Sequence, residues 1–211
     1  MDSVCKRYGA ATILDDLNLS VGVGQVVSIM GVNGSGKSTL LRIAATLTTP
    51  TSGELSVNGA DAVKYAANAR RYIGAVMHSP MLYSDLTMRE NLALFATLCQ
   101  LDDPAERVEQ VASRLALDDR MDERVRRLSH GYRKRVAIAR AIIHGPSLLL
   151  LDEPETGLDN AALDALMDIV IEWKSNGRSV LIATHSTEFV SDVADAVYRM
   201  SGGRLRTVEI D

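Results

Sequence analysis

A nine-residue run, Gly31-Val32-Asn33-Gly34-Ser35-Gly36-Lys37-Ser38-Thr39, constrains this chain more than any other stretch. It satisfies the pattern G-x-x-x-x-G-K-[ST] at Gly31, Gly36, Lys37 and Ser38. Glycines let the backbone curl until successive N–H groups converge on one anion, a curl that β-carbons obstruct. Lys37 then reaches the β- and γ-phosphates of a nucleotide, and the Ser38 hydroxyl becomes a ligand for Mg²⁺. The flanks suit this role. Gln25–Met30 reads as a short buried strand, and Lys37–Ala45 as a helix whose N-terminus faces the anion. A strand–loop–helix unit of this kind belongs to an α/β fold, and the chain is expected to bind a nucleoside triphosphate.

The rest of the sequence extends that fold. Residues 10–30 alternate like strands, with turn signals around Gly22 and Gly24. Glu54–Val57 and Tyr72–Met77 read as strands on either side of the tight-turn dipeptide Asn58-Gly59. A helical block begins near Leu86. Thr87-Met88-Arg89-Glu90 has the form of a capping box, opening a helix to about Gln100. Asp103-Pro104-Ala105-Glu106 repeats that logic and places Val108, Val111 and Leu115 on one side. From Ser147 strands and helices alternate: a four-leucine run at Leu148–Leu151, an amphipathic helix over Asn160–Lys174 closed by Gly177, and a buried strand at Ser179–Thr184. The pattern predicts a mostly parallel sheet with the helical block as an insertion.

Composition narrows the functional classes. With 46% hydrophobic but only 4% aromatic residues, the core must be built from aliphatic side chains. A net charge of −4 argues against a nucleic-acid binder, which needs a basic footprint. The basic group Arg124, Arg126, Arg127, Arg133, Lys134 and Arg135 reads as a solvated helix face. Cys5 and Cys99 form no CxxC pair and are expected as reduced thiols. No apolar run approaches the ~20 residues that span a bilayer, so any membrane role requires another chain.

Two further constellations bear on chemistry. Asp152 and Glu153 follow the four leucines, and ligands of parallel sheets collect beyond such strand ends. There Asp152 would hold Mg²⁺ and Glu153 would polarise the water that attacks the γ-phosphate. Leu128-Ser129-His130-Gly131-Tyr132 precedes a second helix, with Ser129 as its N-cap. A capped helix N-terminus carries partial positive charge, which gives one chain two phosphate-binding ends and points to bridging between subunits.

These residues together resemble the nucleotide-binding subunit of ABC transporters, over nearly the whole chain. Gly31–Thr39 is similar to the Walker A motif of that family, including Asn33, Gly34 and Ser35, and Leu148–Glu153 to Walker B with its catalytic glutamate. Ser129, His130, Gly131 and Tyr132 resemble the LSGGQ signature, Gly157-Leu158-Asp159 the D-loop, and His185 the switch histidine. Tyr8 falls where the family has an aromatic residue that stacks on adenine. The resemblance implies one P-loop NTPase domain over 1–211, with a RecA-like mostly parallel core, a small antiparallel β-subdomain and an inserted helical subdomain. The expected divisions are about 1–83, 84–140 and 141–211. It further implies a head-to-tail dimer, expected as a homodimer, that sandwiches two ATP molecules with Mg²⁺. Its partners would be transmembrane permease subunits at the cytoplasmic face of the membrane.

The chain departs from the family pattern in two places. His78 stands where the family has glutamine, and is expected to take over its contact with Mg²⁺ or water. Only Met1–Cys5 precedes Lys6-Arg7-Tyr8-Gly9, so the edge strand of the β-subdomain is expected to be shortened. The segment His78-Ser79-Pro80 with Leu86-Thr87 and Glu90-Asn91-Leu92 resembles ATP-binding subunits of haem exporters in cytochrome c maturation. Leu128–Arg133 also resembles export pumps for drugs and polysaccharides. A soluble ABC-type ATPase of cofactor assembly is a further alternative.

Overall fold

A computed structural model describes residues 1–208. In chain order its elements are β1 (Asp2–Tyr8), β2 (Ala11–Leu17), β3 (Val26–Met30), α1 (Lys37–Ala44), β4 (Ser52–Glu54), β5 (Ser56–Val57) and β6 (Ala60–Asp61). There follow α2 (Ala66–Arg70), β7 (Ile73–Val76), α3 (Met88–Leu98), α4 (Pro104–Arg114), α5 (His130–Ile142), β8 (Leu148–Asp152) and α6 (Asn160–Ser175). The last are β9 (Ser179–Thr184), α7 (Thr187–Ser191), β10 (Ala196–Ser201) and β11 (Arg204–Val208). Six strands form the main sheet in the order β11-β10-β3-β9-β8-β7. All neighbours in it are parallel except β10 and β11.

Successive side chains of a strand leave on opposite faces, so a buried parallel strand must be apolar throughout. Here the two faces feed two cores. Val26, Leu149, Leu151, Val180 and Ile182 pack with α3 to α6. Val27, Ile29, Leu150, Leu181 and Ala183 pack with α1 and the small strands. The four-leucine run therefore glues helices to both sides of the sheet.

The inserted helical block is plain in the topology. β7 and β8 are register neighbours, Ile73 opposite Leu148, yet the chain between them builds α3, α4 and α5. α3 opens on a complete capping box: the Glu90 N–H donates to Thr87 Oγ1 at 3.1 Å, and the Thr87 N–H to Glu90 Oε2 at 2.8 Å. α4 opens on Asp103, whose Oδ1 accepts from the Glu106 N–H at 3.1 Å, with Pro104 in its first turn. Val108, Val111 and Leu115 are buried against the sheet helices, as their spacing predicts. Among the described residues no helix is long and apolar enough to cross a membrane. Cys5 and Cys99 are both free.

Three expectations need correction. Asn58-Gly59 turns the small hairpin β5–β6, both residues at positive φ, and Ile73–Val76 joins the main sheet instead of pairing across that turn. The strand expected as a shortened edge, β1, runs for seven residues and lies in the middle of the sheet β2-β1-β4. Its backbone groups are paired on both sides, so no open edge arises there. Lys134 is buried, not solvated, because α5 turns that side chain inward with Ile138 and Ala141, four and seven residues on.

Candidate nucleotide site

The loop between β3 and α1 forms a cradle that only glycine permits. A β-carbon on Gly31 would stand 2.7 Å from the Met200 carbonyl oxygen and 2.9 Å from Ser35 Oγ. Gly36 has φ +111°, a backbone conformation that other residues rarely reach, and a β-carbon there would press the Ile13 carbonyl at 3.1 Å. Asn33 and Gly34 are exposed at the tip. Lys37 is buried, and its ammonium donates to the Gly31 carbonyl at 2.7 Å and to that of Val32 at 3.3 Å. Ser35 Oγ is buried and has no hydrogen-bond partner. An orphaned hydroxyl beside a lysine and a glycine curl fits a polyphosphate, which supplies the missing acceptors.

The cation side of the cradle comes from two elements. Ser38 stands in the first turn of α1, followed by Thr39, and Ser38 Oγ donates to Oδ1 of Asp152, the last residue of β8, at 3.1 Å. Burial pushes the Asp152 carboxyl above its ordinary range, while hydrogen bonds from Ser38 and the His78 backbone N–H oppose the shift. A buried carboxylate with a hydroxyl beside it is a hard-oxygen pair of the kind Mg²⁺ takes, the remaining positions filled by phosphate and water. Among the described residues no cluster of three or more His, Cys, Asp or Glu converges on one point. His78 reaches Asp152 through its backbone; its side chain is exposed.

Glu153 and His185 meet although 32 residues separate them in sequence. Parallel pairing of β8 with β9 puts Asp152 opposite Ala183, and the Glu153 N–H donates to the Ala183 carbonyl at 2.8 Å. His185 Nδ1 then lies 3.5 Å from Glu153 Oε1. Glu153 has φ +45°, a left-handed backbone that costs a non-glycine residue about 1 kcal/mol. Its position is held by Lys134, whose ammonium donates to the Glu153 carbonyl at 2.8 Å and to the Asp152 carbonyl at 3.3 Å. Burial lowers the Lys134 pKa, and Asp152, Glu155 and Glu153 partly restore it.

The second helix terminus is formed as its sequence predicts. Ser129 caps α5, its Oγ accepting from the Tyr132 N–H at 3.3 Å, and Ser129 and His130 are exposed. His130 lies on Gly157 so closely that a β-carbon there would overlap the imidazole, and a β-carbon on Gly131 would stand 2.8 Å from the Gly157 carbonyl oxygen. The Tyr132 ring takes the guanidinium of Arg120 at 4.7 Å and that of Arg135 at 5.1 Å. Arg135 also pairs with Asp159, which caps α6 by accepting from the Ala162 N–H at 2.9 Å. The signature-like segment is thus fastened to the D-loop-like segment of its own chain. Tyr8 stands exposed at the end of β1, its ring 4.9 Å from the Lys6 ammonium.

Sequence reasoning missed two site residues. Lys134 was detectable from the helical period that groups it with Ile138 and Ala141. Glu155 carried no such signal: its Oε1 accepts from the Thr184 hydroxyl, a partner 29 positions away in sequence.

A glycine cradle on a helix N-terminus, with acids at the end of a parallel strand of the same sheet, defines a P-loop nucleotide hydrolase of the α/β class. The family model described as ABC transporter matches residues 14–156. The chain belongs to the ABC transporter family, as an ATP-binding and ATP-hydrolysing cassette. It is 36% identical over 193 residues to the ABC transporter ATP-binding protein NatA of Bacillus subtilis, covering 90% of this chain and 78% of the relative. A Nod factor export ATP-binding protein I of Cupriavidus metallidurans is 37% identical over 206 residues, 97% of this chain and 68% of the relative. The daunorubicin resistance ATP-binding protein DrrA3 of Streptomyces coeruleorubidus is 36% identical over 207 residues, 97% of this chain and 66% of the relative. A solved structure of an ATP-binding cassette, a dimeric post-hydrolysis state bound to ADP and Pi, superposes with a TM-score of 0.92 at 27% identity, covering 100% of this chain and 97% of that one.

Proposed function

We propose that this chain is the ATPase subunit of an exporter, working as a dimer on a separate membrane permease. The observation that carries the reading is the convergence of Lys37, Ser38, Asp152, Glu153 and His185 at the strand ends beside an open phosphate cradle. In this reading Gly31, Asn33, Gly34, Ser35, Gly36, Lys37, Ser38 and Thr39 hold the triphosphate, and Tyr8 lies against adenine. Ser38 and Asp152, with the His78 backbone beside them, would hold Mg²⁺, which would supply screening of the phosphate charge. Glu153 accepts a proton from the attacking water and His185 orients that water towards the γ-phosphate. Ser129, His130, Gly131 and Tyr132 close the site of a second copy, with Asp159 beside them, a use for the second helix terminus that the dimeric relative supports.

The permease reading draws on a cavity of about 660 Å³ between the sheet core and the helical block. Leu47, Met81 and Leu98 line it and remain exposed, an apolar rim of the kind that marks a partner surface. For the cargo, relatives named for Nod factor export and daunorubicin resistance favour a drug or polysaccharide exporter over haem export, which rests on the resemblance of short segments around His78, Leu86 and Glu90. The test is capture of tagged Glu153→Gln protein, with ATP, from detergent-solubilised native membranes. Glu153→Gln is expected to bind ATP, lose hydrolysis by at least about a thousandfold, and retain polytopic membrane partners. Recovery of only soluble partners would overturn the exporter reading in favour of an assembly ATPase. Haem absorption in the captured complex would overturn the drug or polysaccharide preference in favour of haem export.

A further inference from the structure

We infer that Glu155, outside the catalytic pair, is a positioning residue that sets the place of His185 through the Thr184 hydroxyl. This rests on the role given to His185 above. Thr184 ends β9 and is fully buried. Its hydroxyl has one proton, which goes to Glu155 Oε1. With the proton so committed, an oxygen lone pair faces the Ser186 N–H, which donates to Thr184 Oγ1 at 2.9 Å. His185 is the single residue between these two anchored positions, so the carboxylate fixes the backbone on both sides of the imidazole. A charged acceptor makes such a hydrogen bond about twice as strong as a neutral one.

The setting of Glu155 argues for more than a loop anchor. Its second oxygen, Oε2, is buried and has no partner, a cost that an apolar residue at this position avoids. The Lys134 ammonium acts on the same loop, bonding the carbonyls of Asp152 and Glu153. The lysine therefore holds the end of β8 against α5, and the carboxylate ties the loop after β8 to the end of β9. Glu153 hangs on that loop and His185 directly follows β9, and the 3.5 Å approach of the two side chains depends on both ties.

The test is steady-state and single-turnover ATP hydrolysis by Glu155→Ala, Glu155→Gln, Thr184→Val and Thr184→Ser, each also combined with His185→Ala. Glu155→Ala and Thr184→Val are expected to lower kcat about tenfold while KM for ATP stays within about twofold. Glu155→Gln keeps an oxygen acceptor and Thr184→Ser keeps a hydroxyl, so both are expected to regain most of the loss. In the His185→Ala background, Glu155→Ala should cost less than about twofold more, because residues acting through one group are not additive. A raised KM with unchanged kcat, or the full tenfold loss persisting without His185, overturns the inference. If His185→Ala hydrolyses ATP at the wild-type rate, the assignment of His185 fails and this inference with it. If His185→Ala is impaired but Glu155→Ala and Thr184→Val are not, only the inference fails.

Discussion

Asp152, in the role proposed for it, trades stability for function. It is buried at a strand end, and burial raises its carboxyl pKa above the ordinary 3.8. Between the ordinary and the raised value the native state binds more protons than the unfolded state, so this group lowers stability as pH rises through that window. Asp152→Asn is nearly isosteric and carries no charge. It is expected to unfold at a higher temperature than wild type at neutral pH, with the difference closing as pH falls towards about 4. The same variant should hydrolyse ATP at least about a hundredfold more slowly, because the cation loses its carboxylate. Melting curves across that pH range, beside an ATPase assay, check both halves. Glu153 belongs to the same pattern, since its left-handed backbone is strain placed where the chemistry sits. Sequence reading singled out Asp152 and Glu153 through their place after an apolar run. It could not see that strain or the Lys134 bonds that hold it, because both depend on α5 packing against the strand end.

At the scale of elements, packing distances set the tolerances. α5 crosses β7 at Gly74, where a β-carbon would collide with the Ala141 carbonyl oxygen and crowd Pro146 at 2.7 Å. No side chain can rotate out of the way of a backbone oxygen. Gly74→Ala is therefore expected to destabilise the protein by about 3 kcal/mol, measured by urea unfolding. Elements with local signals were legible: the capping box of α3, the proline-opened α4 and the four-leucine strand all lie within a residue or two of their expected bounds. Pairing was less legible. Asn58-Gly59 announces a turn but not its partner strand, and hydrophobic pattern alone does not say that β1 lies between β2 and β4.

For the whole molecule, the decisive feature is the pair of helix N-termini, at α1 and at α5, to which the proposed function assigns phosphate. If each site is shared between copies, complementary defects should rescue each other. Lys37→Ala removes the cradle lysine, and Ser129→Arg blocks the exposed cap of α5; each alone should be inactive. Mixed in equal amounts they form heterodimers with one intact site, and about a quarter of the wild-type ATPase rate should return if sites act independently. A mixture as inactive as either parent would argue against sites shared between copies.

The sequence by itself determined the nucleotide chemistry and the fold class. Cradle glycines, a lysine, a hydroxyl and a capped helix act over a few neighbouring residues, and alternating strands and helices admit few topologies. Only the tertiary structure decided which distant groups share the site. Glu153 and His185, Glu155 and Thr184, His130 and Gly157, and Lys134 beneath Walker B meet because parallel strand pairing and helix packing bring them together. Contacts of that kind are set by the register of β8 against β9 and the seat of α5 on the sheet, and no local stretch of sequence encodes either.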